Sequence, residues 1–336
     1  MTADDALLER ARRGDGESFA DLVEPHRREL HVHCYRMLGS VEDADDAVQD
    51  ALLAAWRALP AFQARASVRT WLYRIATNTC LNLIRGATRR PQLAGPLPST
   101  APAPTGVEKV TWLQPYPDEL LDRVPDDAPG PQARLEQNEA ISLAFVAALQ
   151  LLSPRARAVL ILRDVLGFST REVAGTIEST EDAVAMTLSR ARAALRARPR
   201  PAGPPSGPGE AAVVRRLVEA FTAQDVDRVV SLLTEDVRIT MPPLPAVWQG
   251  RHRAAEFLSG VVFQLVPEAR FIETRANRQP ALAVYTRDEA NGLWHGSGLL
   301  VLTVDGDHVA GLTRFESHTL AAFGLPRSWP EPDGPG

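Results

Sequence analysis

DADDAVQDALLAAWRALPAF (43–62) and SVRTWLYRIATNTCLNLIR (67–85) decide the fold of this chain. Apolar residues recur in both stretches at the 3.6-residue period, which predicts two amphipathic helices. The two stretches differ in charge. Residues 42–50 contain five acids and no base, whereas residues 51–90 contain seven arginines and no acid. On a chain with a net charge of −5, this local asymmetry predicts two surfaces with different partners.

The second stretch carries side chains suited to nucleic acid. Its predicted inward face is Leu72, Ile75, Ala76, Thr79 and Leu83. Its opposite face offers groups that read bases and phosphates, namely Thr70, Arg74, Asn78, Asn82 and Arg85. The aromatic residues Phe62, Trp71 and Tyr73 are interleaved with the arginines. Basic charge with aromatic rings favours single-stranded or melting DNA, whose unstacked bases lie on ring faces.

Together the two stretches resemble region 2 of an extracytoplasmic-function (group 4, sigma-70 family) sigma factor, the promoter-recognition subunit of bacterial RNA polymerase. The resemblance implies that the first helix docks on core polymerase, while the following loop and helix recognise and help to melt the −10 promoter element. The implied polymerase-binding residues are Asp43, Asp45, Asp46, Gln49, Asp50, Leu53 and Trp56. The implied −10 residues are Phe62, Arg65, Ser67, Arg69, Trp71, Arg74, Asn78, Asn82 and Arg85, with 62–67 as a base-capturing loop.

A second DNA-reading module is predicted in SPRARAVLILRDVLGFSTREVAGTIESTEDAVAMTLSRARAALRAR (153–198). Ser153–Pro154 begins a helix, Ser169 and Glu172 form a capping box, and Ser179–Thr180 begins a last, basic-ended helix. This order predicts a helix-turn-helix; the alternative is an ordinary helical bundle. The stretch also resembles sigma region 4, which reads the −35 element. The residues we assign to that role are Arg171, Thr180, Asp182, Ala185, Ser189, Arg190, Arg192 and Arg196. Acids at the start of the recognition helix either accept from cytosine N4 or only cap the helix.

Two linkers are predicted from composition. Residues 91–131 are rich in proline and small polar residues, and such a segment cannot build a core. Within them, WLQPYPDELLD (112–122) differs, because it combines aromatic rings, prolines and acids. It resembles a linker motif of sigma factors with a fused C-terminal domain, which implies interdomain docking through Trp112, Tyr116 and Asp118. The second linker is PRPAGPPSGPG (199–209).

The C-terminal part predicts an α+β cone. A helix over 210–223 and a shorter one to Leu233 precede strands over 237–241, 271–275, 281–285, 298–304 and 309–315, with a hairpin turn at Asp305–Gly306. The stretch resembles SnoaL-like (nuclear-transport-factor-2-like) domains, some of which are enzymes. Candidate pocket residues are Asp236, Tyr285, His295 and Arg314, but no base–nucleophile pair is visible. We therefore expect no catalytic residues, no cofactor and no enzyme activity, since fold does not imply chemistry.

Composition narrows the remaining possibilities. No run of eighteen apolar residues is present, so we expect no membrane span. The first sixteen residues contain many charged side chains and lack the apolar core of a signal peptide. We therefore place the protein in the cytoplasm. His31, His33 and Cys34 lie close together. A metal site is one interpretation; a buried cysteine beside two partly exposed histidines is the one we favour.

The predicted organisation is multidomain. Two all-α sigma domains precede the α+β cone: 1–90 is region 2, 91–131 a linker, 132–198 region 4, 199–209 a linker, 210–325 the SnoaL-like domain and 326–336 a tail. The predicted partners are core RNA polymerase and promoter DNA, and an anti-sigma protein or a small ligand at the C-terminal domain stays open. The alternatives are an isomerase or cyclase fused to a DNA-binding module, and a one-component repressor. A repressor needs no second basic helix after an acidic docking helix.

Overall fold

The computed structural model describes residues 3–63, 66–86, 98–122, 139–197 and 208–329. These residues divide into two compact units. The first unit holds residues up to 86 together with 120–122 and 146–197. The second holds 98–119, 139–145 and 208–329. Within the described ranges, no helix combines the length and apolarity that crossing a membrane requires.

Four helices form the N-terminal part of the first unit. They are α1 (Ala3–Arg12), α2 (Gly16–Leu38), α3 (Val41–Ala58) and α4 (Val68–Gly86). The predicted stop at Gly39 is confirmed: this residue adopts φ 77°, and its N–H donates to Tyr35 O at 2.7 Å. A side chain at Gly39 would approach Gln150 to 3.0 Å, so this turn requires glycine for both conformation and space.

The buried face of α4 differs from the predicted one. Of the expected inward residues, Leu72 and Ala76 are buried, while Leu83 is 37% exposed. The helix also buries Trp71, Tyr73, Thr77, Cys80 and Leu81. At about 100° per residue, the buried face is turned by roughly a quarter of a circle from the predicted one. The reason is that Thr77 hydrogen-bonds the buried His33 of α2, which turns this side of α4 toward α2.

The helices that follow are the predicted helix-turn-helix and the helix before it, whose first three residues belong to the second unit. They are α6 (Leu143–Gln150), α7 (Pro154–Leu160, continued by a wider turn over Ile161–Val165), α8 (Thr170–Thr176) and α9 (Glu181–Arg196). Between α4 and α6 lies a short α5 (Asp118–Leu121). The capping box of Ser169 and Glu172 is confirmed, and Thr180 caps α9 by accepting from Ala183 N at 3.2 Å. Helix α6 covers Leu143–Gln150, residues 140–142 form a turn before it, and residues 132–138 lie outside the described ranges.

The second unit is a six-stranded sheet with helices on one face. The helices are α10 (Pro208–Thr222), α11 (Val226–Ser231) and α12 (Arg251–Phe257, continued by turns to Leu265). The strands are β1 (Leu233–Met241), β2 (Leu244–Gln249), β3 (Ala269–Ala276), β4 (Gln279–Arg287), β5 (Trp294–Asp305) and β6 (His308–Glu316). A 3-10 helix, Ser317–Phe323, follows. The strand order is β2-β1-β6-β5-β4-β3, and only the β1–β6 pair is parallel.

Strand β2 was not predicted from the sequence. This strand contains Pro245 and directly follows two prolines, a composition that favours a loop. Proline is tolerated on an edge strand, where its missing N–H breaks no central ladder, and β2 is an edge of the sheet. The other five strands were predicted, with ends that differ from the observed ones by at most four residues. The core between sheet and helices includes Leu217, Trp248, Phe257, Leu282 and Leu302.

Candidate nucleic-acid interface

The outer face of α3 is acidic with an apolar residue at its centre. The side chains of Asp45, Asp46, Gln49 and Asp50 are exposed, and Leu53 is 53% exposed among them. These residues are the ones that the sequence assigns to polymerase docking, and all four polar ones are accessible at the surface. Asp43 lies half-buried at the start of the helix, near the capping hydroxyl of Ser40. Trp56 is half-buried against Phe19, with ring centroids 5.1 Å apart.

The polar face of α4 carries the predicted base-reading groups. Arg74, Asn82 and Arg85 are exposed, and Asn78 is half-buried. Ser67 precedes the helix and accepts from Thr70 N at 3.0 Å, which satisfies a free N–H of the first turn. Arg65 lies outside the described residues.

Two predicted DNA-facing rings lie in the core instead. Phe62 and Trp71 are only 9% and 4% exposed, and their rings stack with centroids 4.6 Å apart. Arg12 donates a hydrogen bond to Phe62 O and lies near its ring. The rings close the end of α3 onto the start of α4, so neither offers a free face to a base. We therefore leave both out of the DNA-contacting set.

Arg69 is held by a carboxylate and by two aromatic rings. Its Nε lies 3.0 Å from Glu29 Oε2, and its guanidinium lies over Tyr73 (4.9 Å) and Phe168 (5.5 Å). Glu29 also accepts from Tyr73 OH at 3.2 Å and contacts His26 Nδ1 at 2.7 Å. Burial opposes ionisation of Glu29, but the hydrogen bond from His26 and the charge of Arg69 hold its pKa below the usual value. This network fixes the start of α4 rather than leaving Arg69 free for phosphate.

The reading face of α4 opens onto a cleft closed by the helix-turn-helix. Glu172 of α8 lies 3.3 Å from Thr70 Oγ1, and Phe168 contacts Tyr73 edge-on at 5.3 Å. The cleft has a volume of about 510 Å³. Its walls are Ala54, Arg74, Ile75, Asn78, Thr79 and Asn82 on one side and Gly175 and Glu178 on the other. In this arrangement the two predicted DNA-reading modules face each other.

Arg157 joins the helix-turn-helix to the end of α2. Its guanidinium donates to Met37 O and to the carbonyls of Leu149 (3.0 Å) and Gln150 (2.9 Å). Gln150 in turn donates to Arg36 O at 3.0 Å. Burial lowers the pKa of Arg157 to about 10, so the side chain remains a cation at neutral pH. A cation beside the last carbonyls of a helix is stabilised by the helix dipole.

Every residue assigned to the −35 role is exposed on α8, α9 or the turn between them. Arg192, however, forms a two-point ion pair with Asp164, at 2.6 and 2.8 Å, so it is partly committed to the protein. Met186, which was not among the predicted residues, also lies on this surface and is 54% exposed. The available signal was its spacing from Val184, Leu188 and Ala191, the buried stripe of α9.

The linker motif lies against the β3–β4 turn of the second unit. Tyr116 is 1% exposed; its N–H donates to Asn277 Oδ1 at 2.8 Å, and its carbonyl accepts from Asn277 N at 2.9 Å. Asp118 accepts from Arg278 N at 2.8 Å, and its other oxygen lies 3.4 Å from Arg275 Nε. Trp112 remains 39% exposed. Asn277 and Arg278 have positive φ (57° and 61°), which points their backbone groups toward the motif.

An earlier part of the same linker pairs with the edge strand β2. Thr105 N and Gly106 N donate to Val247 O at 2.8 and 3.3 Å, and Val247 N donates to Gly106 O at 3.1 Å. Trp248 Nε1 donates to Pro102 O at 2.9 Å. The linker therefore completes the second unit along one sheet edge and at one hairpin turn.

The four pocket candidates do not come together as a catalytic set. Asp236 is exposed, and His295 is exposed 4.0 Å from Asp288. Tyr285 donates to Pro326 O at 2.9 Å, and Arg314 donates to Ser297. Among the residues that the structure describes, no hydrogen bond or ion pair joins one of these four candidates to another.

The histidine–cysteine cluster is a packing feature. His33 is fully buried and lies 2.9 Å from Thr77 Oγ1, whereas His31 lies 3.1 Å from Asp45. The expectation that both histidines are partly exposed is therefore wrong for His33. Desolvation and the charge of Arg36 lower the pKa of His33 to about 3. Within the part of the chain that the structure describes, no group of three or more His, Cys, Asp or Glu residues is arranged to hold a metal.

The helix-turn-helix, together with the basic helix α4, is the architecture of a DNA-binding protein. Family models match in the same order: sigma-70 region 2 at residues 22–90, sigma-70 region 4 at 142–195 and a SnoaL-like domain at 214–327. The chain belongs to the ECF RNA polymerase sigma factors, which bind core RNA polymerase and direct it to promoters.

Its relatives support this assignment. SigG of Mycobacterium tuberculosis (strain H37Rv) is 43% identical over 330 residues, which cover 94% of this chain and 85% of SigG. SigJ of the same strain is 30% identical over 247 residues, 72% of each chain. The crystal structure of M. tuberculosis SigJ is similar with a TM-score of 0.59 at 24% identity, covering 89% of this chain and 97% of that one. At that identity the structural likeness supports the fold alone.

Proposed function

We propose that α3 is the polymerase-docking surface, that α4 reads the −10 element and that α9 reads the −35 element. The observation that carries this proposal is the pairing of an acidic, Leu53-centred face with a separate face bearing Arg74, Asn78 and Asn82. These faces lie on successive helices and have opposite charge. The site of action is the cytoplasm, where core polymerase and promoters are.

Docking through α3 is tested by charge reversal at the surface. Asp46→Arg and Asp50→Arg should each lower capture of purified core polymerase several-fold, because rim charges govern association of complementary surfaces. Asp21→Arg on α2 is the matched control, since Asp21 is also exposed but lies on another helix. Unchanged capture by both α3 variants would refute the docking surface.

We further propose that the two reading modules separate before promoter binding. Elements named −10 and −35 lie about 25 base pairs apart, or about 85 Å of duplex at 3.4 Å per base pair. In the present arrangement Thr70 and Glu172 lie 3.3 Å apart. Asn78 and Asn82 line the cleft between the two modules. The closed first unit therefore corresponds to a resting form of the factor.

For the C-terminal domain we propose regulation in cis rather than catalysis. Asn277 makes two backbone-directed hydrogen bonds to Tyr116, and Asp118 meets the next residue of the same turn. The domain thus grips the linker that joins the two sigma regions, and holding or releasing that linker sets how far they can separate. An anti-sigma protein or a small ligand acting on this domain remains compatible with the proposal.

Point variants test this regulation. Asn277→Ala should release Tyr116 and change promoter output several-fold in reconstituted transcription. Asn291→Ala is the matched control, because Asn291 also stabilises a hairpin turn but does not contact the linker. Asp118→Asn should reproduce part of the effect. If Asn277→Ala and Asp118→Asn both transcribe like the unmodified protein while the C-terminal domain turns over a small molecule, the enzyme alternative replaces this proposal.

A further inference from the structure

The outer face of α9 has an apolar residue at its centre. The helix buries Val184, Leu188 and Ala191, and at about 100° per residue the direction opposite this stripe passes through position 186. Met186 is 54% exposed there. By the same geometry, Arg192 lies roughly 120° away from Met186, on the flank where it pairs with Asp164.

We propose that Met186 is a specificity-determining residue that contacts the 5-methyl group of a thymine in the −35 element. The inference deepens the proposed role of α9 and rests on it. In the major groove only thymine among the four bases presents a methyl group, and apolar side chains contact it. A long, flexible thioether suits such a contact, since it adapts its shape without a hydrogen-bonding requirement.

The neighbours of Met186 support a base-facing rather than a protein-facing role. Along the same outward face, one turn before it stands Asp182 and one turn after it stands Arg190, both exposed. A carboxylate accepts from cytosine N4, and an arginine binds guanine or phosphate. Ala185, beside Met186, is exposed and too small to block a methyl group. Along this face an acidic, an apolar and a basic side chain follow one another. This order predicts a thymine contact that lies between a cytosine contact and a contact to guanine or phosphate.

The test uses holoenzyme reconstituted from core polymerase and the full chain. Promoters with a randomised −35 element are selected first. Each thymine of the selected element is then replaced by deoxyuridine, which removes only the methyl group. With the unmodified protein we expect one position where this replacement weakens promoter binding about fourfold, the effect of one buried methyl-sized group. With Met186→Ala that penalty should disappear, because the contact is already gone.

Arg190→Ala is the control variant. It should weaken promoter binding and keep the deoxyuridine penalty, because it leaves the methyl contact in place. The proposal is overturned if no thymine shows a penalty, if the selected element contains no thymine, or if Met186→Ala retains the full penalty. These outcomes differ from failure of the proposed function, in which the holoenzyme selects no −35 element at all.

Discussion

The two helices proposed to read DNA, α4 and α9, differ in the contacts that hold them in place. Helix α4 buries polar groups, among them Tyr73 and Thr77, which bond Glu29 and His33 on α2. Helix α9 rests on three aliphatic side chains and leaves its outer face open. Directional hydrogen bonds hold α4 in one orientation, whereas the aliphatic contacts of α9 depend only on shape. The position of α4, the helix proposed to act on melting DNA, therefore depends on the protonation of His33 and on contacts with the helix-turn-helix.

The largest effect should come from Arg157, which ties the helix-turn-helix to α2. Arg157→Met removes the donor to the carbonyls of Met37 and Gln150, whereas the carbonyl of Leu149 still accepts from Leu152 N at 3.0 Å. Because each buried acceptor left unpaired costs about 1–3 kcal/mol, we expect the free energy of unfolding to fall by roughly 3 kcal/mol or more. Denaturant unfolding measures this. Arg155→Met, on the exposed side of the same helix, should cost less than about 1 kcal/mol; equal losses would contradict the assignment.

Acid should destabilise the packing of α4 against α2, where His33 is buried. The pKa of His33 is about 3 in the folded protein and about 6.5 when unfolded, so below pH 6.5 the unfolded state binds a proton that the folded state does not. Stability therefore falls as the pH falls from 6.5 toward 3, by about 2 kcal/mol between pH 7 and pH 5. The pKa of His31 is also lowered by burial and acts in the same direction.

His33→Phe removes this titration, so its unfolding free energy should depend less steeply on pH. The readout is the slope against pH rather than absolute stability, since the variant also loses the bond to Thr77. His252→Ala changes a histidine whose side chain is 86% exposed and should leave the slope unaltered. A slope that His33→Phe does not reduce would show that other groups govern acid sensitivity.

The third effect separates the two reading helices by template. Arg190→Ala removes a candidate phosphate contact of α9, which should lower the slope of log affinity against log salt by about 0.9. At physiological salt this corresponds to about a fivefold loss on duplex carrying the −35 element. Arg192→Ala should do less, because Asp164 already holds that side chain. On pre-melted template with only the −10 element, Asn78→Ala should be the harmful change; equal losses on both templates would refute the division of labour.

The smallest effect concerns the contact between Glu172 and Thr70. Glu172→Gln keeps a capping side chain but weakens the contact with α4. Exposed polar pairs contribute about 0.2–1 kcal/mol, so free factor should bind single-stranded −10 DNA about twofold to threefold more tightly. Ser169→Ala disturbs the same cap without touching Thr70 and serves as control. If both variants behave alike, the contact does not restrain the cleft.

The predictable parts of the fold are those in which one residue carries its own signal. Gly39, the capping box at Ser169 and the acid-to-base switch between α3 and α4 each act locally. The inward face of α4 was not predictable from hydrophobicity, since Tyr73 and Thr77 count as polar until their partners on α2 are known. The same limit applies to Arg192, because its pairing with Asp164 depends on the packing of α7 against α9.

The candidate site shows a similar division. The exposed acids of α3 and the outer residues of α9 follow from helical periodicity. Burial of Phe62 and Trp71 does not, because an aromatic ring beside arginines fits a core and a base-stacking surface equally well until its neighbours are known. That Tyr116 and Asp118 contact the turn at Asn277 requires a pairing across about 160 residues, and no local pattern reveals it.

The pairing of the linker with β2 has a practical consequence for dividing this protein. Thr105 and Gly106 occupy the hydrogen-bonding groups of Val247 on an edge strand. A fragment that begins at residue 210 would present these groups unpaired, and an unprotected sheet edge invites pairing with another copy. We therefore expect a fragment starting near residue 98 to stay monomeric and one starting at residue 210 to self-associate. The C-terminal domain should thus be stable as a monomer only when the linker residues that pair with β2 are kept with it.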